Sequence, residues 1–232
     1  MNTRSVAIIT ARGGSKRIPR KNIKDFNGKP IIAYSIKAAL ESECFDEVMV
    51  STDDNEIAEI AIANGAKVPF LRSPSNSDDY SSTVDVLVEV LNEYKSRGEN
   101  FALACCLYPT APFVNKLKIK ESFELIKKYN ADSVIPVCKF SYPIQRALRV
   151  IENKISMADP TKLFVRSQDL EPMYHDVGQF YWFNVPRFIE SKLLFNNNTI
   201  PYEVSELEVQ DIDNMIDWEL AELKFNFLRR TK

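Results

Sequence analysis

Short, unbroken apolar runs that alternate with amphipathic segments constrain this chain most. Ser5–Thr10 (SVAIIT), Glu47–Thr52 (EVMVST), Val68–Leu71, Phe101–Leu107 (FALACCL) and Ser133–Cys138 read as strands. Continuous hydrophobicity of this kind belongs to strands covered on both faces, as in a parallel sheet flanked by helices. The intervening segments carry helical spacing. Pro30 opens PIIAYSIKAALES, with Ile32, Ile36, Ala39 and Leu40 on one face. Asp53–Asn64 has Asp53 or Asp54 to cap it and Gly65 to stop it. Ser82–Arg97 ends at Gly98, and Lys116–Tyr129 keeps Lys and Glu on its wet face. The pattern predicts an α/β fold with a mostly parallel sheet and right-handed crossovers. Ligands of such sheets bind beyond the carboxyl ends of the strands. The loops after Thr10, Thr52, Leu71 and Leu107 are therefore expected to line a site.

After Phe140 the pattern changes. Phe140–Leu163 reads as a hairpin or extended arm with a turn at Glu152–Lys154, and Arg166–His175 is polar and irregular. Gly178–Val185 and Ile200–Ser205 read as strands and Asn214–Leu228 as a closing helix. One domain over 1–232, with an inserted arm at about 140–175, fits best. The 14 Phe, 9 Tyr and 2 Trp exclude intrinsic disorder. A net charge of −2 argues against a protein built to coat nucleic acid. No apolar run has the length of a membrane span, and the N-terminal apolar stretch is too short for a secretory signal. A cytoplasmic protein with no membrane or nucleic-acid partner is expected. Cys44, Cys105, Cys106 and Cys138 form no CxxC and are expected to be reduced thiols, mostly buried.

The strongest chemical signal follows the first strand: Ala11-Arg12-Gly13-Gly14-Ser15-Lys16-Arg17, continuing through Arg20, Lys21 and Asn22. Adjacent glycines let backbone N–H groups approach an anion closely. Five cations within ten residues suit a triphosphate, which needs several donors at once. The spacing is neither GxxxxGK[ST] nor GxGxxG, which disfavours a P-loop or a dinucleotide site. Second is Gln210-Asp211-Ile212-Asp213. On a strand, residues i and i+2 share a face, so Asp211 and Asp213 would present paired carboxylates suited to Mg²⁺. A helix cap beside a surface charge has the same sequence. Ser51-Thr52-Asp53-Asp54 fits helix capping or nucleotide contact. Arg72 fits a base or phosphate contact or a surface ion pair, and Tyr108-Pro109-Thr110 fits a rigid turn or a pocket wall. Arg166, Gln168, Asp169, His175, Asp176 and Gln179 gather with Tyr174, Tyr181 and Trp182. Such a group suits a polar sugar or a subunit interface.

The run ITARGGSKRIPRKNI, with STDDNEIAE, LYPTAP and the QDID pair, resembles the cytidylyltransferases that make CMP-activated nonulosonic acids, over essentially the whole chain. FSYPIQRALR and RSQDLEPMYHDVGQFYW are similar to the branch that uses pseudaminic acid. The resemblance implies a Rossmann-like, GT-A-like nucleotidyltransferase, a homodimer with an arm, that joins CTP to a nine-carbon sugar acid and releases pyrophosphate with Mg²⁺, for which Mn²⁺ can substitute. It puts Arg12, Ser15, Lys16 and Asn22 at the nucleotide and its phosphates, Arg72 and Thr83 at the cytidine, and Asp211 and Asp213 at the metal. Ala11, Gly13, Gly14 and, from its charge, Lys21 complete the expected nucleotide set. Arg12, Lys16, Asp211 and Asp213 are the expected catalytic residues. Arg166, Gln168, His175, Gln179 and Tyr181 are the expected sugar contacts. N-acetylneuraminate synthetases have Gln-Pro-Thr where this chain has Tyr108-Pro109-Thr110, and an arginine near the position of His175. Both departures argue against N-acetylneuraminate. Legionaminate, N-acetylneuraminate and 3-deoxy-manno-octulosonate stay as the rival acids, and a non-catalytic nucleotide-binding protein is the rival from another class.

Overall fold

The structure is a computed structural model, and it describes residues 3–78 and 80–230. The chain runs β1 (Ser5–Thr10), β2 (Asp25–Phe26), β3 (Lys29–Pro30), α1 (Ile32–Ser42), β4 (Glu47–Ser51) and α2 (Asn55–Ala63). It continues through α3 (Thr83–Ser96), β5 (Leu103–Leu107), α4 (Lys116–Lys128) and β6 (Ser133–Lys139). β7 (Leu148–Ile151), β8 (Lys154–Met157), β9 (Tyr174–Asp176), β10 (Phe180–Asn184), α5 (Val185–Ser191), β11 (Thr199–Glu203) and α6 (Met215–Arg230) complete it.

The central sheet has the order β11-β6-β10-β5-β1-β4, with β9 added to β6. β4, β1 and β5 are parallel neighbours, and β11 is parallel to β6. β10 is antiparallel to β5 and β6, and β9 is antiparallel to β6. The expected mostly parallel α/β sheet is thus present as a mixed one. β1 has five of its six residues buried because helices cover both faces of the sheet. One cluster joins Ile9, Val50 and Trp182 to Ile32 and Ile36 of α1 and Ile119 of α4. The opposite cluster joins Ile8, Met49 and Phe183 to Leu87, Val90 and Tyr94 of α3. Each fully buried Ile, Leu or Phe contributes about 1.5–3 kcal/mol, so this doubly covered sheet dominates stability. Among the described residues no helix is long and apolar enough to cross a membrane. Cys105, Cys106 and Cys138 are buried, Cys44 is half-buried, and all four are free thiols.

Two expectations are corrected. Val68–Leu71 is not a strand: only Lys67 bridges, to Met49, because Pro69 has no N–H to continue a ladder. The first helix begins at Ile32, not Pro30. Pro30 belongs to a small hairpin, β2–β3, turned by Asn27 (φ 51°) and Gly28 (φ 85°). Asn-Gly between two short runs is the sequence signature of this turn, in which both central residues take positive φ. The hairpin in the arm lies where expected, as β7 and β8 pair through a turn with Glu152 and Asn153 at φ 50° and 60°.

Candidate active site

β1 ends at Thr10 and the cation-rich loop leaves the sheet there. Ala11 is fully buried, and its N–H donates to Ser51 O at 2.9 Å, which extends the β1–β4 ladder by one step. The Gly13 N–H donates to Asp53 Oδ1 at 2.9 Å. That amide is therefore held within the protein rather than presented to an anion. A Cβ on Gly13 would stand 2.8 Å from Asp54 Oδ2, so any larger residue would have to displace the Asp54 side chain. A Cβ on Gly14 would meet nothing within 4 Å, so that glycine faces open space. Asn22 is buried, and its Nδ2 donates to Arg12 O at 2.8 Å, tying the end of the loop to its start.

The loop forms one wall of a cleft of about 450 Å³. Arg12, Ser15, Lys16, Arg17, Lys21 and Asn22 line it on that side. Arg72, Thr83, Val86, Tyr108, Pro109 and Thr110 line the other, beyond β5 and at the start of α3. Thr10, Ile18, Ser81 and Asp213 complete it. Arg72 is buried with Nε on Ser51 Oγ at 3.0 Å and Nη2 on Ser51 O at 2.6 Å. Burial pushes its guanidinium down from the usual arginine range. The Tyr108 hydroxyl shares a hydrogen bond with Thr83 Oγ1 at 3.2 Å, and burial pushes that phenol up. Asp79, within the polar stretch Ser77–Thr83, lies outside the described residues.

Asp211 and Asp213 sit in an extended connection before α6, not in a strand as expected. The strand-like alternation survives: Ile212 is buried at 1% exposure, while Asp211 is exposed and Asp213 half-exposed. Asp213 Oδ1 accepts from Arg17 Nη2 at 2.7 Å. Lys21 Nζ donates to Ile212 O at 2.6 Å, between the two carboxylates. Burial pushes the Lys21 ammonium down, while Asp213 and Asp211 pull it back up. Ile18 of the cationic loop and Ile212 enter one apolar cluster with Phe26, Ile31, Phe113 and Trp218. That cluster brings the cations and the Asp213 carboxylate to one cleft, while Asp211 lies outside its lining. The donor set fits a hard divalent cation, which commonly takes one or two carboxylates together with phosphate oxygens and water. Among the described residues no three His, Cys, Asp or Glu side chains are grouped to hold a metal by themselves. Asp211 and Asp213 would need substrate oxygens to complete a coordination shell.

The residues expected at the sugar do not line this cleft. Arg166 is 70% exposed on the arm and pairs with Asp169 at 2.7 Å, and Gln168 is exposed beside it. The His175 ring lies 4.9 Å from Phe140, with Nδ1 2.9 Å from Asp176 O. Tyr181 is buried behind Tyr108, ring centroids 5.5 Å apart, and its hydroxyl donates to Asp176 Oδ2 at 2.7 Å. Gln179 is 3% exposed, donates through Nε2 to Glu208 O at 2.6 Å, and leaves Oε1 buried without a partner. Tyr181 and Gln179 thus back the site instead of facing solvent. Their apolar strand context, GQFYWFNV, is the signal that they point inward. Arg20, one of the five cations, turns from the cleft to bind Asp54 and Glu56. Thr10 and Val86 are lining residues that sequence reasoning did not single out, whereas Pro109 lies in the expected pocket wall. Thr10 and Val86 are short or apolar side chains without a chemical signature.

The family profile described as cytidylyltransferase matches residues 6–216. A pseudaminic acid cytidylyltransferase of Campylobacter jejuni (strain 81-176) is 42% identical over 96% of both chains. The chain belongs to the cytidylyltransferase family. The CMP-N,N'-diacetyllegionaminic acid synthase of Legionella pneumophila is 36% identical to this cytidylyltransferase, over 94% of this chain and 95% of that one. The solved CMP:2-keto-3-deoxy-manno-octonic acid synthetase complexed with CTP superposes with a TM-score of 0.69 at 19% identity, covering 98% and 100% of the two chains. A 4-diphosphocytidyl-2C-methyl-D-erythritol synthase from Anaerococcus prevotii superposes with a TM-score of 0.64 at 13% identity. These two likenesses establish the nucleotidyltransferase fold. The enzyme class follows from the family: this cytidylyltransferase is a nucleotidyltransferase.

Proposed function

We propose that the enzyme transfers CMP from CTP to pseudaminic acid, giving the CMP-sugar and pyrophosphate. One observation carries the reading of the cleft: four cationic side chains of the loop, Arg12, Lys16, Arg17 and Lys21, line it with Arg72 and the Asp213 carboxylate. A triphosphate has about four negative charges to neutralise, and cations on a loop at a strand end meet that need. Arg12, Ser15, Lys16 and Lys21 bind the phosphates. Asn22 holds the loop closed through Arg12 O. Arg72, Thr83 and Tyr108 line the end suited to the cytosine and ribose. Asp211 and Asp213 would hold Mg²⁺, which supplies neutralisation of charge on the triphosphate. The anomeric hydroxyl of the sugar forms a bond to the α-phosphorus as the bond to the bridging β-phosphate oxygen breaks. The hydroxyl proton passes to water and pyrophosphate leaves. The cations orient the triphosphate for in-line displacement and bind the charge that develops on the leaving group.

The sugar acid is inferred from the nearly full-length similarity to the Campylobacter jejuni enzyme, which is higher than that to the Legionella pneumophila one. Pyrophosphate release with CTP and Mg²⁺ tests it, with pseudaminic, legionaminic and N-acetylneuraminic acids side by side. Release with pseudaminic acid at a kcat/KM at least tenfold above the others is expected, since a pocket that hydrogen-bonds its substrate rejects analogues by that margin or more. A preference for another acid discards the substrate assignment. No release with any acid overturns the function.

The arm is assigned to association of two copies. Among the described residues β7 and β8 pair with each other alone, and they expose Leu148, Val150, Ile151 and Ile155 at 59–70%. Phe164 is 93% exposed further along. Exposed apolar side chains grouped on a hairpin of this kind suit an interaction site. Sedimentation equilibrium is expected to give twice the chain mass for the wild type and the single mass for Val150→Asp/Ile155→Asp. A monomeric wild type removes the assignment.

A further inference from the structure

The cation-rich loop is pinned at both feet by one dipeptide. At the first foot the Gly13 N–H donates to Asp53 Oδ1 at 2.9 Å. At the second, the Arg20 guanidinium forks onto Asp54, with Nη2 on Oδ1 at 2.9 Å and Nη1 on Oδ2, and also reaches Glu56. Arg20 takes a left-handed backbone (φ 55°, ψ 30°), a conformation a non-glycine residue keeps when its surroundings hold it there. Gly13 approaches Asp54 so closely that a Cβ would fall 2.8 Å from Oδ2. Residues 14–19 span the gap between these anchors and include Ser15, Lys16 and Arg17, which line the cleft.

The dipeptide is itself firmly mounted. It follows β4, the parallel neighbour of β1. Thr52 is fully buried, and its Oγ1 accepts from the Asp54 N–H at 3.2 Å. Asp54 Oδ1 also caps α2 by accepting from the Ile57 N–H at 3.0 Å. Its hydrogen bonds with Arg20 are the largest cause holding the Asp54 carboxyl at about 2, so the fork is charged at any working pH.

We propose that Asp53 and Asp54 are positioning residues that hold the loop in its anion-receiving shape. They act through Gly13 and Arg20 and need not touch the nucleotide themselves. The proposal rests on the reading of residues 11–22 as the phosphate loop. It separates from helix capping by chemistry, because asparagine caps a helix as well as aspartate but cannot pair with a guanidinium as a charged fork.

The test uses the full-length enzyme with Asp54→Asn, Arg20→Leu and the double variant. Two readouts are taken: the KM for CTP at saturating sugar acid, and the rate of tryptic cleavage after Lys16 and Arg17 in the absence of ligand. The Asp54→Asn variant is expected to raise the KM for CTP about tenfold with the sugar KM within twofold, as for a shift of the loop by a fraction of an ångström. It is also expected to accelerate cleavage in the loop several-fold. The double variant is expected to be no worse than either single one, the mark of two residues acting as one unit. A raised KM without faster cleavage means direct contact with the nucleotide and overturns positioning. Faster cleavage with an unchanged KM keeps the clamp and overturns the phosphate-loop reading beneath it. No change in either, in a folded protein, overturns the proposal.

Discussion

The Asp213→Ala variant is expected to lower kcat about 10²–10³-fold while the thermal midpoint stays within a few degrees of wild type. The first part follows from position. Among the described residues, Asp213 is the acidic side chain in the lining of a cleft whose cations are Arg12, Lys16, Arg17, Lys21 and Arg72. A group that organises charge on a reacting triphosphate costs about 2.7–4 kcal/mol of barrier when removed. The second part follows from exposure. The Asp213 side chain is 41% exposed and its partner Arg17 68% exposed, and ion pairs of this kind add little to stability. Steady-state pyrophosphate release, with Mg²⁺ titrated, checks the first part and a melting curve the second. Asp211→Ala is expected to act in the same direction. Wild-type kcat for Asp213→Ala at limiting Mg²⁺ would exclude the carboxylate pair as the metal site.

Lys118→Met is expected to destabilise the fold by about 2–4 kcal/mol, the largest stability loss among these substitutions. Lys118 is 7% exposed, near the start of α4, and pairs with Glu208 at 3.3 Å. Its Nζ also donates to Phe113 O at 3.1 Å. Methionine keeps the apolar stem and deletes the charge, so Glu208, itself only 20% exposed, keeps a negative charge without its counter-ion. The consequence reaches the site. Glu208 O receives the Gln179 side chain, and Val209 O receives Lys224 Nζ at 2.7 Å, just before the chain reaches Asp211. Lys118→Met/Glu208→Gln is expected to regain most of the loss, because no charge is then left unpaired. Urea unfolding of the three proteins at constant m-value measures this. A shift below about 0.5 kcal/mol for the single variant would mean that water already screens the pair.

Much of this architecture is legible in local sequence because local physics writes it. SVAIIT becomes β1 at the expected bounds, since an apolar run bounded by a glycine-rich loop has few alternatives to a buried strand. Ser82 caps α3 through a reciprocal hydrogen-bond pair with Asp85, and Asp54 caps α2, as short polar side chains at helix starts do. Misreadings arise where a neighbour overrides periodicity. Pro69 cancels a strand that its flanking Val68 and Phe70 favour. Asn27-Gly28 folds Pro30 back into a hairpin before the helix can start. Tyr181 and Gln179 are a different case: they carry polar groups that suggested substrate contacts, and in the structure those groups bond Asp176 and Glu208.

The sequence by itself determined the kinds of elements, the clustering of five cations after the first strand and the adjacency of Asp211 to Asp213. These are one-dimensional facts, set by residue spacing within a few turns of chain. Only the tertiary structure decided that Asp213 joins the cations in one cleft. Ile18 and Ile212 stand far apart in the chain, and nothing local links them. They meet because both must leave water, and the cluster of Phe26, Ile31, Phe113 and Trp218 is where they do so. Burying those two isoleucines turns Arg17 and Asp213 toward each other at 2.7 Å and sets Lys21 on the backbone between the carboxylates. The same tertiary packing chose Arg20, from five similar cations, to face Asp54 rather than the cleft.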